Sequence, residues 1–300
     1  MATKKATAVA NFNKFFGPNE QAAHIKGKNY RDLYVEKVTD FFEDRDHNLY
    51  IAGQPGVGKT HTVDRIANLH PDLVLLKING AMKPWAFIKM MASAKYRLLD
   101  NQFLVVYTDD KNDMFKPNSE FLDLFKIAMD KSKDCIEYNT SLGAQLVNAE
   151  DFEKEAIEYF KSLNPNRTGF IIPFDKRVKF AFTMNTPLPD KNALAASGAV
   201  GSEAWIKANN RHAIYGRVEY EDLIMDPDTY WGWIADVVWN DPSMCEGATL
   251  EQRFEMLYWL RSHWATAVET NLRFVEDKLW KTMKKHPARP DYTRRWAKYK

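Results

Sequence analysis

The chain has only two cysteines, Cys135 and Cys245, in 300 residues. A disulfide framework is excluded as an organising principle, and a reducing compartment, the cytoplasm, is the expectation. The seven histidines fall nowhere in an H-x-x-x-H spacing, so no zinc site is expected. No apolar run approaches the length of a membrane span, and no apolar stretch follows the lysines near the N-terminus. Neither a span nor a secretory leader is read here. Internal repeats are also lacking. What the chain has in quantity is aromatic side chains, 13% of residues with nine Trp. These fill cores and interfaces and can stack on planar ligands.

The net charge of +2 conceals an asymmetry. Residues 281–300 hold eight Lys/Arg against one Asp, a local charge of +7, so the other 280 residues carry −5. Such a tail is either a solvated end or a phosphate-backbone contact. Tyr292, Trp296 and Tyr299 lie among its charges, at positions from which bases could be stacked.

Apolar runs alternate with helical patterns over the first 225 residues. Strands are predicted at Asn48–Ala52, Leu73–Ile78, Phe103–Tyr107, Val178–Met184 and Ala213–Tyr220. Helices are predicted around Leu33–Asp44, 61–70, Pro84–Leu99, Ser119–Lys133 and Ala149–Ser162, and a loop over Ala195–Gly201. Near-continuous apolar strands between helices indicate a buried, mainly parallel sheet. From about Asp226 the pattern is helical throughout. A boundary near 225 therefore divides an α/β domain from a helical one.

One segment carries the chemistry. Gly53-Gln54-Pro55-Gly56-Val57-Gly58-Lys59-Thr60 matches G-x-x-x-x-G-K-[ST] in full, between a predicted strand and a predicted helix. The glycines let backbone N–H groups close on phosphate oxygens. Lys59 would lie on the β- and γ-phosphates, Thr60 would ligate Mg²⁺, and the helix start would face the phosphates with its positive end. His61 follows directly, close enough to the phosphates to count among the binding residues, or simply as a helix-start residue. The metal needs a carboxylate from a neighbouring strand end. Asp109 supplies it, and Asp110 beside it would orient the attacking water.

These motifs resemble those of the AAA+ ATPases, over roughly residues 30–285. GQPGVGKT looks like Walker A, and FLVVYTDD like Walker B with Asp110 where many members carry Glu; Asp113 offers a third carboxylate. VKFAFTMN resembles a sensor 1 strand ending in Asn185. AIYGRVEY resembles the arginine-finger segment, with Arg217 as the finger and Arg211 as a second candidate. Asn271-Leu272-Arg273 resembles sensor 2, with Arg273 reaching the nucleotide. The resemblance implies an α/β fold with a five-stranded parallel sheet between helices (30–225) and a helical lid (226–285). Residues 1–29 and 286–300 are then an N-terminal extension and a basic tail. It further implies ATP and Mg²⁺ as ligands, no membrane, and a homo- or hetero-oligomer with the active site at a subunit interface. Within the family the chain looks most like small ATPases of bacteriophages and related replicons. The expectation is an ATP-hydrolysing motor in DNA replication or a related DNA transaction, with DNA held by the tail.

Two other readings stand beside it. A protein remodeller would share every nucleotide residue and differ by aromatic pore loops, for which 114–170 and Lys83-Pro84-Trp85-Ala86-Phe87 are candidates. A small-molecule kinase would explain the phosphate loop and Asp109 but not Asn185, Arg217 and Arg273 in that order.

Overall fold

The computed structural model describes residues 12–43, 48–78, 83–109, 124, 127–129, 133–138, 150–165, 169–185, 198, 218–223 and 225–300. The chain forms two units, a helical one (Met1–Lys37, Gln54–Lys59 and Ile224–Lys300) and a sheet one (Val38–Gly53 and Thr60–Leu223).

The elements in chain order begin with α1 (Pro18–Glu43), β1 (Asn48–Gly53), α2 (Lys59–Ala67), β2 (Leu73–Ile78), α3 (Pro84–Tyr96) and β3 (Phe103–Asp109). They continue with β4 (Cys135–Tyr138), α4 (Asp151–Ser162), β5 (Phe170–Pro173), β6 (Val178–Met184) and β7 (Val218–Leu223). The helical C-terminal part contains α5 (Pro227–Asn240), α6 (Leu250–Ser262), α7 (Leu272–Phe274), a π-helical segment (Val275–Trp280), α8 (Lys281–Lys285) and α9 (Arg289–Trp296).

In the sheet unit, five strands lie in the order β2-β3-β6-β1-β7. Every pairing is parallel. This is the α/β fold expected from the sequence. Both faces of the central strands are buried, which is why they read as near-continuous apolar runs. On one face Tyr50, Ala52, Leu104, Val106, Phe180 and Phe182 join Phe87, Ile88 and Met91 of α3 and Ala156, Ile157 and Phe160 of α4 in a single core. Phe87 is fully buried there, so this member of the pore-loop candidate is a core residue. Pro84 stands at the first helical position of α3, where its missing N–H costs nothing. About half of the loop candidate 114–170 falls outside the described residues, and the described part includes β4 and α4.

The strands at 73–78 and 178–184 have the limits read from the sequence, while β1 runs on to Gly53 and β3 to Asp109. A short antiparallel pair, β4 with β5, was not foreseen. Four-residue strands show too little alternation to stand out. Residues 213–217 of the fifth predicted strand, most of the predicted 119–133 helix and most of the 195–201 loop lie outside the described residues.

In the helical unit, α5 begins at a strong cap. The Asp226 side chain accepts from the N–H groups of Asp228 and Thr229, and Pro227 takes the first turn. Thr249 and Gln252 form a reciprocal capping box at α6. Residues 12–29, set apart by the sequence reading, belong to this unit. Phe12 stacks on His24 at 3.9 Å and packs edge-on against Trp239 at 5.3 Å. Phe16 meets Trp231 at 5.7 Å. The tryptophans of α5 thus pack the N-terminal segment onto the helical unit.

Two glycines allow α1 and α5 to touch backbone to backbone. A Cβ on Gly232 would stand 1.8 Å from the Ala23 carbonyl oxygen, and one on Gly27 would stand 2.1 Å from the Trp233 nitrogen. Gly232→Ala is expected to force the helices apart and cost about 1–3 kcal/mol or more, read as a lower urea midpoint.

Beside this crossing lies a buried charge cluster. Asp236 contacts Arg31 at 2.8 Å and His24 at 3.3 Å, and Arg31 also lies 3.7 Å from Asp241. Burial raises the Asp236 pKa, but the hydrogen bonds and charges of His24 and Arg31 outweigh it, and the net shift is downward. A depressed carboxyl contributes stability that is complete above its unfolded value of about 3.9 and is lost as pH falls through the folded value. Asp236→Asn should therefore destabilise by about 3–5 kcal/mol near neutrality. The difference from wild type should shrink in melts taken below about pH 4.

The basic tail departs from expectation. It is folded as α9 and a 3₁₀ turn, Ala297–Tyr299. Trp296 is fully buried and Tyr292 nearly so. Trp296 packs edge-on against Trp259 at 6.0 Å, and its Nε1–H donates to the Leu279 carbonyl at 3.2 Å. The Tyr299 ring packs edge-on against Phe274 at 5.6 Å. Tyr292 and Trp296 are core residues, not base-stacking platforms, because their i, i+4 spacing places both on the helix face turned inward.

Candidate nucleotide-binding site

All five strands of the sheet are parallel, so their C-terminal ends share one edge, where open α/β sheets bind ligands. Gly53 closes β1 there. A Cβ on it would stand 2.6 Å from that of Leu223, so only glycine permits the close approach of β7. The chain then enters the helical unit for six residues. Gly56 (φ +74°) and Gly58 (φ +84°) hold left-handed backbone, which side chains rarely tolerate. At Gly56 a Cβ would also lie 2.6 Å from Cβ of Asn271.

Within the helical unit, nearly every carbonyl of this loop has a donor. The Lys59 ammonium, itself buried, donates to Gln54 O at 2.9 Å. Tyr230 OH donates to Pro55 O at 3.3 Å, and the Leu272 N–H to Gly56 O at 3.1 Å. Trp233 Nε1–H donates to Val57 O at 2.9 Å and Tyr34 OH to Lys59 O at 3.1 Å. The Gln54 side chain is tied to Met225 O at 3.2 Å. Carbonyls fixed in this way hold the loop in one backbone conformation, with Gly56 and Gly58 in the left-handed turns from which an anion-binding nest is built.

At Thr60 the chain re-enters the sheet unit. Thr60 Oγ1 donates to Asp109 Oδ2 at 2.9 Å, and Thr183 Oγ1 donates to Asp109 Oδ1 at 2.6 Å. Tyr107 OH lies 2.7 Å from Thr183 Oγ1. Thr183 gives its only hydrogen to Asp109, so the phenol is the donor in that contact. Burial above all, with the charges of Asp109 and Asp64, pushes the Tyr107 pKa well above its ordinary value, against hydrogen bonds with Thr183 and Thr60. The phenol stays protonated. Asp109 is thus a fixed carboxylate whose two oxygens are each held by a hydroxyl. Hard oxygen donors of this kind, one carboxylate and one hydroxyl, suit Mg²⁺, which keeps several waters and takes few protein ligands.

The structure therefore brings Thr60 and Asp109 together. Asn185 follows β6 directly and is exposed, and Arg273 is exposed on α7. His61 is exposed on the first turn of α2. Asp110, Asp113, Arg211 and Arg217 lie outside the described residues. The sequence reading missed Thr183 and Tyr107, and also Tyr34, Tyr230 and Trp233. Thr183 left a signal, a hydroxyl at the end of an apolar strand, and parallel register sets it opposite Asp109. The loop's aromatic donors left none.

Trp233→Phe tests the support of the loop. It keeps most of the packing but leaves Val57 O without its donor, a cost of about 1–3 kcal/mol. A lower melting temperature should accompany weaker nucleotide binding in calorimetric titration, by about tenfold for each 1.4 kcal/mol that reaches the site.

No family model matches the chain, and no curated protein matches it. Among solved structures, NtrX from Brucella abortus in complex with ATP is similar at 13% identity and a TM-score of 0.42, over 95% of this chain and 57% of that one. The chain thus spans little more than half the length of that protein. No helix among the described residues is long and apolar enough to cross a membrane.

Proposed function

We propose that the chain binds ATP with Mg²⁺ on Gly53–Thr60 and hydrolyses it as a motor subunit of the AAA+ type acting on DNA. The observation that carries this reading is the loop, whose carbonyls are held by named donors immediately before a helix start and the Thr60–Asp109 pair. Lys59 sets its ammonium against the β- and γ-phosphates. Thr60 and Asp109 hold Mg²⁺, which when bound supplies charge neutralisation on the phosphate oxygens. Asp110 orients the attacking water, and Asn185 hydrogen-bonds it or the γ-phosphate. Arg217, with Arg211 as the alternative, acts from a neighbouring subunit on charge developing at the γ-phosphate. Arg273 touches the nucleotide from the helical part.

The DNA assignment rests on the +7 of residues 281–300. The test is phosphate release by the purified chain with and without single-stranded and duplex DNA, beside Lys59→Ala and Arg217→Ala. The reading expects stimulation by DNA, loss in both variants, and partial recovery when Arg217→Ala is mixed with Lys59→Ala. Stimulation by a protein partner and none by DNA would replace DNA with a protein as the substrate.

A further inference from the structure

We infer that α9 and the turn after it hold the phosphate backbone of duplex nucleic acid, without stacking on bases. This rests on the DNA-directed reading above, but not on the ATP chemistry. Three observations within the helical unit carry it.

First, the segment is anchored. Trp296 is fully buried, and the Val268 N–H donates to the Tyr299 carbonyl at 2.9 Å. Basic side chains on a docked helix lose less freedom on binding than those on a loose tail. Second, the outward side is cationic. Arg294, Arg295, Lys298 and Lys300 are exposed, and none of them forms an ion pair among the described residues. Lys284 and Lys285 are exposed on α8, which has no acidic residue, while Lys278 on the π-helical segment lies beside the exposed Glu276. Asp291 is the single acidic residue from 281 onward. Third, the aromatic residues of α9 face inward, which removes two competing ligand classes. A single strand loses the stacking that supplies about 1–3 kcal/mol per base in stacking platforms. A membrane surface loses the exposed apolar face that an interfacial helix inserts. A dense array of phosphates remains, which guanidinium forks match in geometry. Duplex DNA presents it most densely, at about one charge per 1.7 Å.

The experiment is fluorescence anisotropy with the full chain and no nucleotide. The ligands are a labelled duplex of mixed sequence, the corresponding single strand, and vesicles of anionic phospholipid. The triple variant R294E/R295E/K298E is compared with wild type and with K154E/K161E, which reverses two charges on α4. Circular dichroism melts establish that each is folded. Duplex should bind at least about tenfold tighter than single strand, and the triple variant should lose at least about tenfold in duplex affinity. Three lost contacts should flatten the slope of log K against log salt by about 2.7. K154E/K161E should bind as wild type does. Lys59→Ala should also keep duplex affinity, so failure of the ATP reading and failure of this one give different results. Unchanged duplex binding by the triple variant, tighter binding of single strand, or equal binding of vesicles would each overturn the inference.

Discussion

Lys59→Ala is expected to lower ATP hydrolysis by about 10³-fold or more, with the fold retained. The ammonium is buried, so its charge acts in a medium of low dielectric, where a donor aimed at developing charge contributes about 10²–10³-fold by itself. Its substitution removes both a phosphate contact and the donor to Gln54 O. The second loss disturbs the loop as well and carries the effect past that of one donor. Lys59→Arg should also fail, because a planar fork does not replace a compact ammonium in an enclosed position. Phosphate-release assays with circular dichroism controls check both. Activity within a few fold of wild type in Lys59→Ala would place catalysis elsewhere.

Asp109→Asn should come next in size, at least about 10²-fold in hydrolysis, since neutralisation of phosphate charge by the metal contributes several kcal/mol. The change should cost little stability. Asn keeps a carbonyl oxygen for one hydroxyl, and the other hydroxyl can turn to accept from the new NH₂. The discriminating readout is Mg²⁺ dependence. The concentration that half-activates the variant should rise by about tenfold or more, each tenfold corresponding to 1.4 kcal/mol of lost metal binding. An unchanged Mg²⁺ profile would remove Asp109 from the metal site.

The parts of the fold legible in the sequence are those set by local pattern. Val178–Met184 is a mainly apolar run buried over most of its length and Leu73–Ile78 a largely half-buried one, and both begin and end as read. The left-handed turns of the loop after β1 were legible because its glycines answer to backbone geometry, which Gly56 and Gly58 display as positive φ. What tertiary contact decides was not legible. Nothing local marks Trp233 or Tyr34 as donors to the loop, since any aromatic at helical spacing could serve a core. Thr183 required knowledge of which strand lies beside β3. The tail was misread for a different reason. Aromatics scattered among charges suggested a stacking surface, yet Tyr292 and Trp296 are four residues apart and share a face. Helical periodicity in KTMKKHPARPDYTRRWAKYK is faint, because proline and charged residues dominate its first half.

Calorimetric titration of ATP with Mg²⁺ into the purified chain, beside the same titration into Lys59→Ala, goes most directly to whether Gly53–Thr60 is a triphosphate site. A saturable heat with one nucleotide per chain, abolished in Lys59→Ala, is the predicted result. A folded wild-type chain that takes up no nucleotide, or one whose affinity is the same in the variant, would contradict it.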